Sequence, residues 1–502
     1  MMEAKQEAID ELKDNLGKKK VADDIATRIV HRFTHGPEIL LHSEWDKFTP
    51  GCVVYPETVE ETQMVVRVAD KYEIPIVPQG GRTCTYGAEG MYGCIAVDLA
   101  RMDKIVDFDE SNYRITVEAG MRAVDFINFL AEKGYMSLEF PTMNRASQMG
   151  SRAALHGYNK FEGRWGSSGN HIKALEVVLP NAKAVWLGRG TRFPTKSVVG
   201  YNLKDLFIGS RGTLGIITKL TERFIDPPPK YIYGISAFKD WRDAFKTYID
   251  LKRPLMLSAG VWRVKSYHKW LLSQAVKAIL ELDWPEEVAA LTDYHILGYP
   301  EVVEATERLV KRVVSEHNGY WSEDLPETTF IGRMHESMEK YMGMGAIGTE
   351  RIEKGGMGDR IVPYDPGIPD GNLIKMYEEH LEHLRKMEDG EHYPALADSM
   401  RVLSPGEPVP TDLSYTKLWG QWLANLKKFD DEARNEFKQW FAEWANIIWR
   451  YNGSLTATHN FIPRDMEVDL RKRELGEDYY ELMRAIKRVI DPKNIMNPKV
   501  IF

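Results

Sequence analysis

The chain has 502 residues, enough for two or three structural units, and its 43% hydrophobic and 28% charged residues are typical of a globular protein. A formal net charge of −8 argues against nucleic-acid binding, because such proteins carry basic surfaces. No apolar run approaches the roughly 20 residues that span a bilayer. The charged N-terminus is not a secretory signal, and three cysteines without a Cys-x-x-Cys pair favour a reducing cytoplasm.

The first half of the chain alternates predicted strands and helices, as an α/β unit does. Thr58 and Glu61 form a capping box that predicts a helix start. Apolar and β-branched runs predict strands at residues 74–77, 94–99, 114–120 and 174–180. Three prolines at 227–229 then stop regular structure, because proline lacks the N–H that a sheet ladder or a helix interior requires.

Residues 230–440 differ in character, with longer helical stretches and many aromatic residues. The chain closes with a predicted helix in which Leu482, Ile486 and Val489 are spaced i, i+4 and i+7. Asp491-Pro492 ends that helix.

A glycine pair follows the predicted strand at 74–77, in residues 78–87, which read Pro-Gln-Gly-Gly-Arg-Thr-Cys-Thr-Tyr-Gly. Glycine lets a backbone approach a ligand closely, and successive N–H groups in such a turn suit a phosphate or pyrophosphate. The loop lacks the ending of a Walker P-loop, and no Gly-x-Gly-x-x-Gly opens a helix after it. The loop alone therefore predicts a turn as readily as a phosphate site.

Several further motifs follow in order along the chain. Residues 115–120 read Ile-Thr-Val-Glu-Ala-Gly, residues 209–218 read Gly-Ser-Arg-Gly-Thr-Leu-Gly-Ile-Ile-Thr, and residues 491–498 read Asp-Pro-Lys-Asn-Ile-Met-Asn-Pro. With the glycine loop, they resemble the signatures of FAD-binding flavoproteins of the vanillyl-alcohol oxidase superfamily, also called the p-cresol methylhydroxylase (PCMH) type. The resemblance covers about half of the chain.

The resemblance implies an α+β fold in which a two-subdomain FAD-binding domain carries an inserted α+β cap domain. It divides the chain into an N-terminal helical segment (1–45), the FAD-binding domain (46–226), the cap or substrate domain (230–440) and a C-terminal segment that returns to the FAD domain (441–502). The residues implied to hold FAD are Pro78, Gln79, Gly80, Gly81, Arg82, Thr83, Cys84, Gly150, Ser151, Gly166, Ile172, Gly215, Ile216, Ile217 and Asn497.

Two branches of the superfamily compete. The FAD domain is most similar to the glycolate and D-lactate dehydrogenases, which usually bind a divalent metal through several histidines. Here the C-terminal turn reads Thr458-His459-Asn460 and no strand supplies the other histidines, so we expect no metal. The cap is more similar to the vanillyl-alcohol and eugenol oxidases, through Gly367-Ile368-Pro369 and the same turn.

Both positions at which relatives bond FAD covalently carry other residues here. Met400 falls where the oxidases have an attachment histidine, and Arg82 replaces a second one in the glycine loop. The resemblance therefore implies non-covalent FAD. A bond to the thiol of Cys84 stays open as an alternative.

The segment before the C-terminal turn bears on the substrate. The phenol oxidases hold an ionised phenol with a Tyr-Arg pair there, and this chain has Thr456-Ala457. A buried anion needs a cation. Either the substrate is not a phenol or another cation holds it.

Three residues are candidates for substrate chemistry. His156 aligns with an acidic residue near flavin N5 in the phenol oxidases, and an imidazole can take a hydroxyl proton near neutral pH. His459 is retained in both branches, which favours a place near the flavin or substrate. Arg401 lies on a strand that lines the family's pocket and could bind a carboxylate bidentately. Each has a structural alternative: a loop-positioning hydrogen bond for the histidines and the opposite strand face for Arg401.

One further pattern resembles a metal motif. Residues 379–383 read Glu-His-Leu-Glu-His, but this order matches neither zinc-protease helix, so we expect a solvated helix face. The thirteen tryptophans are expected to pack inside the cap.

These observations predict an FAD-dependent dehydrogenase or oxidase that transfers hydride from a hydroxyl-bearing carbon to flavin N5. The small substrate would be a 2-hydroxy acid or a benzylic or phenolic alcohol, and the electron acceptor oxygen or a redox partner. The alternatives are a non-redox flavoprotein resembling alkyl-dihydroxyacetone-phosphate synthase and a flavin-free binding protein. We expect no nucleic-acid partner and a cytoplasmic location, and a homodimer is compatible with the sequence.

Overall fold

The computed structural model describes residues 6–34, 38–84, 88–141, 145–159, 162–188, 199–257, 261–268, 286–321, 359–410, 415–425, 427–457 and 466–501. The chain forms two compact units. The first consists of Met1–Asn159, Ser167–Asp226 and Ile462–Phe502, and the second of Lys160–Gly166 and Pro227–Phe461. Each unit combines sheets with helices, so the predicted α+β class is confirmed.

The N-terminal sheet of the first unit has the strand order β1-β2-β4-β3. Its strands are β1 (Val21–Ala22), β2 (Cys52–Val54), β3 (Ile76–Gln79) and β4 (Ile95–Asp98). Strands β2 and β3 both run parallel to β4, and β2 and β4 are buried throughout, as parallel strands covered on both faces are. Since β3 ends at Gln79, this sheet delivers the glycine loop at its carboxyl edge.

The second sheet of this unit is antiparallel, with the order β5-β6-β10-β8-β9 and β7 beside β10. Its strands are β5 (Ile105–Asp109), β6 (Arg114–Glu118), β7 (Met136–Ser137), β8 (Ile172–Val178), β9 (Ala184–Gly188) and β10 (Ile216–Ile225). The central strand β10 begins directly after the predicted Gly-Thr-Leu-Gly segment, so the start of the sheet's middle strand falls at a predicted cofactor motif.

Short helices connect these strands. They are α1 (Gln6–Leu16), α2 (Ile25–Val30), α3 (Glu38–Leu41), α4 (Val59–Tyr72), α5 (Ala123–Glu132), α6 (Met149–Leu155), α7 (Glu162–Trp165, in the second unit), α8 (Ser168–His171) and α9 (Lys204–Phe207). The predicted cap of α4 is present, since the Thr58 hydroxyl accepts a hydrogen bond from the Glu61 N–H at 3.2 Å. None of the described helices has the length and apolar character needed to cross a membrane.

The second unit contains two further antiparallel sheets, β12-β13-β11-β14 and β15-β18-β16, with β17 also pairing with β18. Their strands are β11 (Lys230–Phe238), β12 (Val261–His268), β13 (Ala290–Gly298), β14 (Tyr320–Trp321), β15 (Asp359–Tyr364), β16 (Gly367–Pro369), β17 (Met400–Pro410) and β18 (Tyr415–Asn425). Besides α7, the helices in the described part of this unit are α10 (Trp241–Leu257), α11 (Pro300–Glu316), α12 (Leu373–Glu388), α13 (Pro394–Ser399) and α14 (Asp431–Arg450).

Helix α12 carries the Glu-His-Leu-Glu-His pattern, and the expectation of a solvated face there is wrong. His380 and His383 are 1% and 3% exposed. His380 Nε2 lies 2.9 Å from the Pro405 carbonyl oxygen, and Nδ1 accepts from the Trp444 indole at 3.1 Å. Burial lowers the pKa of His380 to about 3, so this histidine packs as a neutral core residue.

Two observations bear on the other expectations for this region. The packing expected of the tryptophans is confirmed for Trp422, Trp440 and Trp444, which are fully buried. No cluster of three or more His, Cys, Asp or Glu side chains able to hold a metal occurs within the described ranges.

The chain ends with α15 (Glu467–Leu475) and α16 (Glu477–Ile490), which belong to the first unit. The predicted helix is present, but Leu482 and Val489 are 59% and 83% exposed, whereas Lys487 is 5% exposed. The Lys487 ammonium pairs with Asp491 and donates to the carbonyl oxygens of Thr213 and Met496, each at 2.7 Å. This buried lysine therefore ties the C-terminal segment to the start of β10.

Beyond α16, the C-terminal segment runs beside β3. The Ile76 N–H donates to the Ile495 carbonyl at 2.7 Å, and the Asn497 N–H donates to the Ile76 carbonyl at 2.8 Å. The last residues of the chain thus extend the sheet that leads into the glycine loop.

We predict that Lys487→Met lowers the free energy of unfolding by about 3–5 kcal/mol, because it leaves the carboxylate of Asp491 buried without its cation. The matched control is Lys493→Met in the same segment, where the exposed pair with Asp70 should contribute at most about 1 kcal/mol. Chemical denaturation followed by circular dichroism measures both. Equal stability of the two variants would contradict the assigned role of Lys487.

Candidate functional site

The glycine loop packs directly against the segment that opens α6. A Cβ atom on Gly81 would lie 1.7 Å from the Ala146 carbonyl oxygen, and one on Gly80 would lie 2.7 Å from the Ser151 Cβ. A Cβ on Gly150 would lie 2.5 Å from the Cβ of Ala119. Contact this close is possible only for glycine, and it brings together two segments that the sequence assigned to FAD.

The loop also presents backbone donors. Among the described residues, the N–H groups of Gly80, Gly81, Arg82 and Thr83 have no acceptor. Arg82 has the left-handed φ of +51°, which turns the chain sharply after the glycine pair. Successive N–H groups in such a turn form a concavity that suits an anion, so these residues fit the pyrophosphate of FAD.

The Gln79 side chain faces the protein interior. Its Nε2 donates to the carbonyl oxygens of Ala88 at 2.7 Å and His31 at 3.0 Å. Its Oε1 lies 2.6 Å from Nδ1 of His31. Gln79 therefore connects the two ends of the glycine loop. Its side chain is only 1% exposed, so these hydrogen bonds stabilise the loop from the protein interior.

A polar cluster that sequence reasoning missed surrounds this support. His31 Nε2 lies 3.1 Å from the Tyr55 hydroxyl and 3.9 Å from an oxygen of Asp98, and the Arg82 guanidinium contacts the imidazole ring. Burial lowers the pKa of His31, and the charge of Arg82 lowers it further. His31 precedes Gln79 by 48 residues, and no motif in the sequence links them.

The predicted residues at the start of β10 lie near the base of the loop. A Cβ on Gly212 would lie 2.9 Å from the Pro78 ring, and one on Gly215 would lie 2.8 Å from the Val177 side chain. The Asn497 side chain donates to the Arg211 carbonyl at 2.7 Å. The structure thus brings Pro78, the 211–215 turn and Asn497 together. Ile216 and Ile217, which follow the turn, are both buried.

A cavity of about 690 Å³ lies at the other end of α6. Its lining includes His156, Gly169, Asn170, Ile172, Lys173, Tyr201, Asn202 and Lys204. His156 directly follows α6 with a left-handed φ of +52°, and its side chain is exposed. A Cβ on Gly169 would lie 2.9 Å from the His156 ring, so this glycine leaves room for the imidazole.

The two parts of the site are separated by the length of one short helix. Helix α6 has seven residues, which span about 10 Å. The glycine loop contacts its first turn, and His156 follows its last residue. Residues at both ends of α6 would therefore be within reach of one extended dinucleotide.

A buried ion pair holds the loop that carries His156. The Arg152 guanidinium donates to Glu139 at 2.6 Å, to the Tyr158 carbonyl at 2.8 Å and to the Ser168 hydroxyl at 2.7 Å. Burial raises the pKa of the adjacent Glu222 well above its usual range, and the charge of Glu139 raises it further. Because Glu222 is therefore neutral, the positive charge of Arg152 is balanced by the single negative charge of Glu139. Sequence reasoning did not identify this network.

The other predicted residues lie in the second unit or outside the described residues. Arg401 is exposed on β17 in the second unit, while Met400 and Val402 on the opposite face are buried. Gly166 also belongs to the second unit and has a φ of +81°. His459 lies outside the described residues.

The three cysteines differ in their environments. Cys84 is half-buried in the glycine loop. Burial raises the pKa of Cys52 and of Cys94 to about 12, so both stay protonated.

Two family models match the chain. One describes an FAD binding domain and matches residues 50–188, and the other describes the C-terminal domain of FAD linked oxidases and matches residues 424–501. A D-lactate dehydrogenase from Anaerostipes hadrus is 24% identical over 98% of this chain and 96% of the relative. A D-2-hydroxyglutarate dehydrogenase from Stutzerimonas stutzeri is 24% identical over 91% of this chain and 93% of the relative.

A solved structure shares the fold. The 4-ethylphenol oxidase from Gulosibacter chungangensis superposes with a TM-score of 0.79 at 15% identity, covering 99% of this chain and 97% of that one. At this level of identity the likeness concerns the fold alone.

We predict that Gly81→Ala weakens FAD binding by roughly 10- to 100-fold, because overpacking against Ala146 costs about 1–3 kcal/mol. Gly371→Ala is the matched control, since a Cβ there meets no atom within 4 Å. The FAD content is measured from the flavin that acid precipitation releases. Full FAD occupancy in Gly81→Ala would contradict the assignment of the glycine loop to FAD binding. Flavin colour that stays in the acid pellet would indicate a covalent bond, for which Cys84 is the candidate.

Proposed function

Because the chain belongs to the PCMH-type superfamily of FAD-linked oxidoreductases, we propose that it oxidises the hydroxyl-bearing carbon of a small 2-hydroxy acid. FAD is its cofactor, and the bound flavin supplies the hydride acceptor. With the cofactor and the oxidoreductase class established, neither a flavin-free protein nor a non-redox flavoprotein is proposed.

The substrate class rests on the extent of the sequence similarity. The relatives named for D-lactate and D-2-hydroxyglutarate match 98% and 91% of the chain, so the similarity includes the second unit as well as the FAD-binding part. The likeness to a phenol oxidase concerns only the fold, and Thr456-Ala457 supplies no cation for a phenolate. These observations favour a 2-hydroxy acid over a benzylic or phenolic alcohol.

The chemistry of the cavity in the first unit agrees with this class. Lys173, Lys204, Asn170 and Asn202 contribute to its lining, and ammonium and amide groups bind carboxylate oxygens. Lys204 and Asn202 already contact the carboxylate of Asp205, which also lines the cavity, so this pair shows that the lining accommodates a carboxylate. His156 presents an imidazole to the same cavity. We therefore assign His156 the role of taking the hydroxyl proton while the carbon loses hydride.

An anaerobic bleaching screen tests the substrate class. The holoenzyme is mixed without oxygen with D-lactate, glycolate, D-2-hydroxyglutarate and their L enantiomers where these exist, and with benzylic and phenolic alcohols. We expect at least one D-2-hydroxy acid to bleach the flavin absorbance near about 450 nm, since reduction removes this band. Bleaching by the alcohols alone would reject the proposal.

We predict that His156→Asn slows flavin reduction by roughly 10²-fold or more while FAD stays bound, because it removes the proton acceptor. Asparagine adopts the left-handed conformation readily, so the backbone is preserved. His392→Asn is the matched control, at an exposed histidine of the second unit. Stopped-flow reduction with the substrate from the screen measures both, and an unchanged rate in His156→Asn would remove this residue from the mechanism.

A further inference from the structure

His31 connects the N-terminal segment (residues 1–45) with the glycine loop. It caps the C-terminus of α2 and is 3% exposed. Nη1 of Arg82 lies 2.5 Å from its Nδ1 and 3.0 Å from its Nε2. The same ring contacts Gln79 and Tyr55, so two loop residues and one residue after β2 meet at a single imidazole.

The hydrogen-bond pattern determines which ring nitrogen carries the proton. Nε2 of Gln79 donates to two carbonyl oxygens, so its Oε1 must face His31. Oε1 can only accept, and therefore Nδ1 of His31 is the protonated nitrogen. This leaves the lone pair on Nε2 as the acceptor of the ring, 3.0 Å from Nη1 of Arg82, which can only donate, and 3.1 Å from the Tyr55 hydroxyl, which can donate or accept. The 2.5 Å approach of Nη1 to Nδ1 brings two donors together and is therefore not a hydrogen bond. Burial lowers the pKa of His31, which keeps the ring in this neutral form.

Arg82 supplies the positive charge of the glycine loop. Its side chain is 24% exposed, and Asp98 lies 3.8 Å from Nη1, beyond a direct hydrogen bond. A guanidinium has five N–H donors in a rigid fork, and this fork matches phosphate oxygens bidentately. Beyond the contacts at His31, the Arg82 side chain makes no hydrogen bond to the described residues, so its other donors can bind an anion beside the loop.

We propose that His31 is a positioning residue for the cofactor, whose Nε2 holds the Arg82 guanidinium beside the glycine loop so that it binds the FAD pyrophosphate. This role rests on FAD as the cofactor and not on the proposed substrate. A failure of the substrate screen would therefore leave it unaffected.

The competing explanation is that His31 acts only through Gln79, by supporting the loop. Two substitutions separate these contacts. His31→Asn places an amide donor near the position of Nδ1 but leaves nothing at the position of Nε2. His31→Gln reaches the position of Nε2 with a side-chain amide but loses the donor to Gln79.

The experiment measures the dissociation constant of FAD by serial dilution of the holoenzyme, for both variants in the wild-type and the Arg82→Met backgrounds. A hydrogen bond to a charged group contributes about 1.5–3 kcal/mol, so His31→Asn should weaken binding by roughly 10- to 100-fold. His31→Gln should change it by less than about 3-fold. In the Arg82→Met background, His31→Asn should add no more than about 2-fold, because the interaction it removes is already absent.

Equal effects of His31→Asn in the two backgrounds would overturn the proposal, as would a larger loss in His31→Gln than in His31→Asn. Melting temperatures of all variants verify that each is folded. If His31→Asn does not fold, His31→Gln decides alone: retained FAD affinity supports the role of Nε2, and a loss of about 10-fold or more rejects it.

Discussion

The site depends on one close contact, in which the backbone of Gly80 and Gly81 touches the segment that opens α6. The glycine loop is the end of the N-terminal sheet, whereas α6 packs on the antiparallel sheet of the same unit. The contact therefore sets the spacing between two sheets that share no strand. Because it leaves no room for a Cβ, the distance between the loop donors and α6 is fixed by the backbone alone and needs no adjustable side chain.

Three buried cations share a common arrangement. Lys487, Arg152 and Lys252 each pair with a buried carboxylate, and each also donates to a backbone carbonyl, at 2.7, 2.8 and 2.6 Å. A buried ion pair contributes little net stability, because desolvation of the two charges offsets their attraction. A cation that also binds a carbonyl, however, fixes the path of the backbone that carries this carbonyl. The three segments held in this way carry Thr213, Tyr158 and Tyr415.

Local sequence patterns predicted those features that depend on only a few neighbouring residues. The glycine pair, the Thr58 cap and the strand before the loop follow from conformational preferences of a few residues, and all three are present. The burial of side chains was harder to predict, because it depends on tertiary contacts. In α16, apolar residues are exposed while Lys487 is buried. In α12, two histidines within a run of charged residues are buried among aromatic side chains. His31 escaped prediction because its partners are distant in sequence.

The left-handed backbone at His156 has an evolutionary consequence. Most side chains are strained in that conformation, but asparagine, aspartate and histidine tolerate it better than others. The codons of asparagine and aspartate each differ from those of histidine by a single nucleotide. Point mutation can therefore exchange an imidazole, an amide and a carboxylate at the rim of the cavity with little change to the turn that presents them. A single point mutation at this turn can therefore change the group that accepts or donates a proton at the cavity in descendants of this chain.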